Sequence, residues 1–270
     1  MTEIKAKISE LRELCELTSL KGKDIKGKQI MPLPEFLANA ENGVLKIQGV
    51  DKGAHLALEL SYKMEVVKPG PIIIGDVEKF LSFLDRFGSN DDIILSTTEN
   101  KIIITRSSSQ KVARIPQAEA TTVETSKNAS EFLSKFVKGD SGYYETSKTK
   151  FDVKLTLKAE DIKSVIDDGE AVKQRIYPWN LEGPLTVKVG SEQAGEIETV
   201  IPITKIETQN PESPIVKTAY AYGLDNIFGN LKGEVIVNLA NNIGSCPLIV
   251  DKVTDKYTLR IILAPAVTEE

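Results

Sequence analysis

The sequence predicts an α+β fold built from two β-rich halves that carry few and short helices. Three observations support this: most apolar segments are short, they are bounded by Gly, Pro, Asn or Asp, and one helix-turn-strand pattern occurs twice. The chain has 270 residues, of which 41% are hydrophobic and 27% charged, the balance of a folded globular chain. This length allows one large domain or two ordinary ones.

Strands are predicted wherever five to eight residues alternate or stay apolar. Asn42-Gly43 stands between two such runs, and both residues tolerate the positive φ angles of a type I′ turn, so it predicts a hairpin. The other strands are predicted at 56–60, 93–95, 102–104, 151–157, 185–189, 235–239 and 259–263.

Helical spacing of apolar residues predicts four short helices. Ser9 is a candidate N-cap for the first helix, and Gly88 is a candidate stop after the second. The four predicted helices span 10–20, 76–87, 159–167 and 223–231.

The second and fourth helices end alike, in Phe87-Gly88 and Phe228-Gly229, and each leads through a polar turn into an apolar strand. The two Phe residues lie about one domain length apart, which indicates a tandem duplication. We therefore predict an N-terminal domain at 1–116, a connector at 117–150 and a C-terminal domain at 151–270. The connector is polar except for the apolar island 132–137, which is interpreted as a helical turn docked on the core.

Residues for bond chemistry are scarce. His55 is the only histidine, Cys15 and Cys246 stand alone, and no Gly-x4-Gly-Lys-Ser/Thr phosphate loop is present. The pairs Asp91-Asp92 and Asp167-Asp168 each follow an amphipathic helix at a turn, where solvated carboxylates are common. The sequence thus predicts no enzyme, no metal and no cofactor.

The chain is acidic, with a net charge of −5 at pH 7, yet cations stand beside each predicted helix. Such cations on one surface would attract phosphates without reading bases. The charged N-terminal stretch argues against a secretory signal. The absence of long apolar runs argues against a membrane span. These features favour a cytosolic location.

Four stretches, in order along the chain, together resemble one family. They are 42–51 with 55–58, then 80–84 with 90–95, then Cys246-Pro247-Leu248-Ile249-Val250, and finally Leu263-Ala264-Pro265 before the acidic end Glu269-Glu270. The chain resembles DNA sliding clamps of the proliferating-cell-nuclear-antigen (PCNA) type over nearly its whole length.

The resemblance implies the DNA clamp fold: three two-domain subunits closed head to tail as a ring around duplex DNA, with helices lining the hole and sheets outside. It implies a processivity factor without catalytic residues: a homotrimer that holds DNA polymerase on double-stranded DNA. Its other implied partners are a clamp loader and replication and repair proteins. The implied location is cytoplasmic, at a prokaryotic, archaeal-like or viral replication site, or nuclear if the source is eukaryotic. The DNA-facing cations it implies are Arg12, Lys21, Lys23, Lys79, Arg86 and Lys163. Partner peptides would bind an apolar pocket formed by Val50, His55, Leu56, Pro247, Ile262, Leu263, Ala264 and Pro265.

The chain departs from the family in four places. Residues 21–33 resemble an insertion, the connector is long, Phe228 stands near a usual pore lysine, and 177–179 is expected to be a loop packed on the core. The alternatives are a subunit of a heterotrimeric or specialised clamp, a β-rich structural (virion) protein that encloses no DNA, and a hydrolase using the Asp pairs.

Overall fold

The structure, a computed structural model, describes residues 1–23, 27–191, 193, 195–209, 214–221 and 223–266. The centre of the lysine-rich run (24–26) and the acidic end Glu269-Glu270 lie outside the described residues.

The described residues of the N-terminal half form eleven strands and two helices. Its elements are β1 Glu3–Lys7, α1 Ile8–Ser19, β2 Gly22–Lys23, β3 Gln29–Ile30, β4 Phe36–Glu41, β5 Val44–Val50, β6 Leu56–Lys63, β7 Glu65–Lys68, β8 Gly70–Ile74, α2 Val77–Leu84, β9 Asp92–Thr97, β10 Lys101–Arg106 and β11 Val112–Pro116.

The connector contains two short 3-10 turns and a third helix, and the C-terminal half follows it. These elements are α3 Ala129–Ser134, β12 Val137–Lys138, β13 Tyr144–Glu145, β14 Val153–Lys158, α4 Ala159–Ala171, β15 Tyr177–Glu182, β16 Leu185–Ser191, β17 Gly195–Ile201, β18 Lys205–Thr208, β19 Ile215–Tyr220, α5 Leu224–Phe228, β20 Glu234–Leu239, β21 Leu248–Val253 and β22 Tyr257–Leu263.

The two halves have the same topology, which confirms the repeat predicted from the sequence. Strand β1 lies between β7 and β9, and β14 lies between β18 and β20 in the same antiparallel way. Strand β4 pairs with β5 and β8, and β15 pairs in the same way with β16 and β19. Strands β8 and β19 each precede a helix. Only the hairpin β2–β3 has no counterpart in the second half among the described residues.

The halves are joined through one antiparallel ladder between β6 and β22. It runs from Tyr257 opposite Tyr62 to Leu263 opposite Leu56 and fuses strands of both halves into a nine-stranded sheet. Because side chains alternate across a strand, this sheet has two different faces. Leu56, Leu58 and Leu60 enter the main core under the helices, whereas Ala57 packs with the connector on the other face.

The helix boundaries differ from the sequence prediction at their ends. Helix α1 begins two residues early because Glu10 accepts a hydrogen bond from the backbone N–H of Lys7, so Lys7, and not Ser9, is the N-cap. Asp76 caps α2 by accepting from the backbone N–H of Lys79. Helix α5 ends at Phe228, three residues short of the predicted end.

Two local predictions have opposite outcomes. Asn42 and Gly43 both have positive φ and close the β4–β5 hairpin, as predicted. The prediction of a loop at 177–179 is wrong, because these residues begin β15. Tyr177 and Trp179 are buried on the core side of this strand while Pro178 points outward.

The hairpin β2–β3 bridges the two halves beside the helices. Asn226 of α5 is fully buried and donates its side-chain N–H to the carbonyl of Leu20, 2.7 Å away. The backbone N–H of Lys23 donates to Asp225 at the same distance. A Cβ on Gly22 would lie 2.7–2.8 Å from Asn226, so the close approach requires glycine.

We predict that Gly22→Ala destabilises the protein by about 1–3 kcal/mol, because its methyl group overpacks the contact with Asn226. The measurement is the urea dependence of unfolding. Gly139→Ala is the matched control, since its Cβ would meet no atom closer than 3.8 Å. Equal unfolding midpoints for the two variants would contradict the assignment.

Candidate functional site

The four helices that belong to the repeats form one continuous layer. Helix α1 packs against α2, and α4 packs against α5. The two pairs meet where Asn226 of α5 bonds the residue after α1. Connector helix α3 packs on β5 and β6 and shares its cluster with Ala57, so it lies on the opposite face of the sheet.

Three of the six predicted DNA-facing cations are engaged in ion pairs along this layer. Arg12 pairs with Asp85 just after α2, at 2.5 Å, and Lys21 pairs with Glu78 of α2 at 3.5 Å. Lys23 pairs with Glu170 of α4 at 2.7 Å, and this hydrogen bond lowers the pKa of the Glu170 carboxyl. All three pairs are partly solvent-exposed, so each contributes little to stability.

The other three predicted cations are exposed and form no ion pair with the described residues. They are Lys79 on α2, Arg86 just after it and Lys163 on α4. Lys79 and Arg86 form hydrogen bonds through backbone atoms: the N–H of Lys79 donates to Asp76, and the carbonyl of Arg86 accepts from Lys111. Their side chains remain available to an external anion.

The charge of the helix layer differs from the sequence expectation. The described helices α1, α2, α4 and α5 together carry ten carboxylates and three cations. Helix α5 has no cation within its bounds, and the next cation along the chain, Lys232, lies four residues beyond its end. Phe228, at the position of the expected pore lysine, is fully buried.

The predicted partner pocket is divided between the two faces of the nine-stranded sheet. Leu56 and Leu263 are fully buried in the main core on the helix side, and both approach Gly223. They therefore cannot line an outer pocket, which corrects the prediction for these two residues. Successive side chains of a strand point to opposite faces of the sheet. Ala57, next to Leu56, and Ile262, next to Leu263, therefore face outward while the two leucines face the helices.

The remaining pocket residues lie on the outer face or its rim. Val50 packs at the edge of the outer cluster, and Ile262 is buried within it. His55 is exposed, its carbonyl accepting a hydrogen bond from Ala264, while Pro247 and Pro265 are half-buried. These six positions remain candidates for contact with a partner.

The connector covers the centre of this outer face. Its apolar island forms the end of α3 and the residues after it, and Leu133 and Tyr144 are buried against Ala57, Ile249 and Ile262. The sequence did not indicate this role for Tyr144. A cavity of about 560 Å³ remains beside α3, lined by residues that include Val50, Ala54 and Phe132.

Polar contacts hold the connector in place. Arg260 of β22 donates to the carbonyl of Phe136 and to Glu59 of β6, at 3.1 and 2.7 Å. The Tyr144 hydroxyl donates to Asp251, and burial raises the pKa of this tyrosine well above its usual value. These residues are far apart in sequence, so no local pattern indicated them.

One aspartate of each pair has a structural partner. Asp91 accepts from the backbone N–H of Gly88 and pairs with Arg106 at 2.8 Å. Asp168 accepts from the hydroxyl of Thr199 on β17. Within the described ranges, no three His, Cys, Asp or Glu side chains are grouped so that they could hold a metal ion. No helix of the described chain is long and apolar enough to span a membrane.

Two of the edge strands of the described sheets, β11 and β17, lie on different halves. Strand β11 is bonded only to β10, and β17 only to β16, among the described strands. Their equivalents in the repeat are β22 and β6, which pair with each other in the middle of the chain. The outward side chains are Val112 and Arg114 on β11, and Glu196, Glu198 and Val200 on β17.

Two repeated β-rich halves, one shared sheet, a helix layer on one face and a connector on the other define a two-domain sliding-clamp fold. The fold is that of PCNA. The structure of PCNA from Thermococcus kodakaraensis matches with a TM-score of 0.71 and 17% identity, covering 98% of this chain and 100% of that chain. A. fulgidus PCNA bound to the C-terminal region of FEN-1 matches with a TM-score of 0.71 and 9% identity over 100% of both chains.

The PCNA2-PCNA3 complex from Sulfolobus tokodaii matches with a TM-score of 0.67 and 16% identity, over 97% of this chain and 98% of that chain. No protein-family model matches the sequence, and no curated protein matches it. The predicted clamp fold is thus confirmed.

We predict that Leu133→Ala lowers the free energy of unfolding by about 2–5 kcal/mol, because it leaves a cavity under the connector. Ser134→Ala is the matched control on the same helix, since Ser134 is exposed. Urea unfolding measures both variants. A Leu133→Ala midpoint equal to that of the control would mean that α3 is not docked on the sheet.

Proposed function

We propose that the protein is a DNA sliding clamp: a ring that encloses duplex DNA, catalyses no reaction and serves as a platform for DNA polymerase and other replication and repair proteins. The observation that carries the proposal is the pairing of β22 with β6 inside the chain, together with the open edges β11 and β17 at the equivalent places. A heterologous contact that repeats around an axis closes a ring.

The repeat predicts the register of the contact between subunits. The two halves are superposed so that the first residue of α1 lies on the first residue of α4, and Ala38 of β4 lies on Trp179 of β15. With this superposition, the strand ladders of the N-terminal half match those of the C-terminal half. In that superposition Ile262 corresponds to Arg114, and its partner Ala57 corresponds to Glu196. Arg114 of one subunit then stands opposite Glu196 of the next, an arrangement that favours pairing.

Pairing of these edges also removes an aggregation hazard. Val200 is 59% exposed on β17, and Val112 is 37% exposed on β11. Open apolar edge strands tend to pair with other chains. With three copies, as the PCNA resemblance implies, the helix layers of all subunits face a central hole.

Partners are proposed to bind the outer face around Val50, His55, Pro247, Ile262, Ala264 and Pro265. The support is an exposed and half-buried rim beside a cavity next to α3. The PCNA of A. fulgidus binds the C-terminal region of FEN-1, a peptide segment of another protein. Because α3 fills the centre of this face, we expect a partner peptide to contact the rim and the connector surface.

We predict that Arg114→Glu converts the assembly to monomers, because a carboxylate would then face Glu196 across the interface. Mass measurement in solution should change from three times 29.6 kDa to 29.6 kDa. The double variant Arg114→Glu with Glu196→Arg should restore the assembly. Lys46→Glu, a charge reversal on the outer face, is the control and should leave the mass unchanged.

Failure of the double variant to reassociate, with a normal circular dichroism spectrum, would contradict the proposed register. A wild-type protein that stays at 29.6 kDa at every concentration would contradict a self-sufficient ring.

We predict that the protein is retained topologically on DNA. Linear duplex with free ends is incubated with the protein, both ends are then blocked with a bulky protein, and the salt concentration is raised. A closed ring remains on blocked DNA and leaves open-ended DNA, because high salt removes the electrostatic contacts but not the enclosure. Equal loss from both DNAs would contradict enclosure.

We also predict that Lys79→Glu, Arg86→Glu and Lys163→Glu together weaken initial binding to linear duplex at low salt. Loss of three phosphate contacts should flatten the dependence of log K on log salt by about 2.7. The control reverses three cations on strands: Lys46, Lys101 and Lys205. An effect no larger than in the control would remove these three residues from the DNA-facing surface.

A second candidate is a subunit of a hetero-oligomeric clamp. The match to one chain of the PCNA2-PCNA3 complex of Sulfolobus tokodaii supports it. In this case the isolated chain stays below the trimer mass, and its open edges β11 and β17 would pair with different proteins.

A further inference from the structure

The carboxylates of the helix layer are concentrated where DNA would pass if the chain forms the proposed ring. Ten carboxylates against three cations give the four helices a net charge of −7, while the whole chain carries only −5. Within the bounds of these helices, the net charge is thus more negative than that of the whole chain. A lining of this sign opposes contact with phosphates unless its cations are free to act locally.

Two carboxylates at the ends of the helices lie where helix stability disfavours them. Glu170 lies in the last turn of α4, and Asp85 lies at the C-terminal end of α2. The C-terminal end of a helix carries partial negative charge and favours cations, yet none of the four helices has a basic residue in its last turn. Helix formation alone does not explain these positions.

These two carboxylates, together with Glu78 in the first turn of α2, hold the cations that DNA would need. Asp85 and Glu78 bind the cations of Arg12 and Lys21, and Glu170 binds Lys23 and also Arg175, at 3.1 Å. A phosphate that approaches one of these cations must displace a carboxylate already bonded to it. When a phosphate replaces this carboxylate, the cation gains no new charge pairing, and an unpaired carboxylate is left beside the phosphate. Such an exchange therefore lacks the favourable electrostatic contribution that a free cation makes on binding DNA.

We propose that Asp85, Glu78 and Glu170 act as intramolecular competitors of DNA phosphates, which keep Arg12, Lys21 and Lys23 in ion pairs and make the helix layer weakly adhesive to duplex DNA. The proposal rests on the proposed function and deepens it: enclosure retains the DNA, and the carboxylates set how weakly the lining holds it. The residues form no ligand site; their role is to set the affinity of the cations next to them.

The test compares two triple variants that remove the same number of charges. The first is Asp85→Asn, Glu78→Gln and Glu170→Gln. The control is Glu41→Gln, Glu182→Gln and Glu207→Gln, which breaks three exposed ion pairs with lysines on strands. Affinity for a linear duplex of about two helical turns is measured by fluorescence anisotropy over a range of salt concentrations.

The helix-layer variant should bind at least about tenfold more tightly than wild type at 50 mM salt, and its log K should fall more steeply with log salt, by about 2.7. The control should change both quantities much less. Equal changes in the two variants would overturn the proposal, because the effect would then be one of net charge only.

A second experiment isolates a single pair. Arg12→Gln should change DNA affinity little in the wild type, where Asp85 engages the guanidinium, but should lower it clearly in the Asp85→Asn background. Equal effects of Arg12→Gln in both backgrounds would contradict the proposal. This cycle remains informative if the triple variant folds poorly, because Arg12 and Asp85 are both partly exposed.

Solution mass and retention on end-blocked DNA are measured on the same samples. If the wild type forms no ring and shows no topological retention, the proposed function fails. If it does both and the helix-layer variant still binds DNA no more tightly than the control, only the role of the three carboxylates is wrong.

Discussion

The antiparallel ladder between β6 and β22 is the constraint on which the rest of the architecture depends. It joins two topologically equal halves through seven residue pairs, from Tyr257 with Tyr62 to Leu263 with Leu56. Because β6 and β22 pair in the middle of the nine-stranded sheet, the ladder brings both helix pairs to one face of that sheet. It also leaves β11 and β17 open at the far ends, so the same constraint that builds the chain supplies the edges for its proposed assembly.

Much of the fold was predictable because its signals are local. The Asn42-Gly43 turn needs two residues that accept positive φ, and the repeated Phe-Gly helix ends mark a pattern within a few residues. The start of β15 was missed because Pro178 lacks an N–H and normally argues against an interior strand. Here it occupies an outward position between Tyr177 and Trp179, whose burial in the core outweighs that preference.

The candidate site was less predictable because its contacts are long-range. The sequence shows which cations stand beside helices, but Arg12 meets Asp85 across 73 positions and Lys23 meets Glu170 across 147. The sheet face on which Leu56 lies depends on which elements cover each side. The alternation of a strand specifies two faces, but only tertiary packing decides which face receives the helices and which receives α3.

The negative charge of the helix layer bears on how such a protein could hold DNA at all. A protein that bound duplex by attraction alone would need cations free of intramolecular partners, and its affinity would fall steeply with salt. Here Arg12, Lys21 and Lys23 are already paired, and only Lys79, Arg86 and Lys163 among the predicted set have no ion pair with the described residues. Enclosure removes the requirement for attraction, because a closed ring cannot dissociate sideways from a long duplex. A weakly adhesive lining is then compatible with retention, and it lowers the barriers between neighbouring phosphates that would slow sliding.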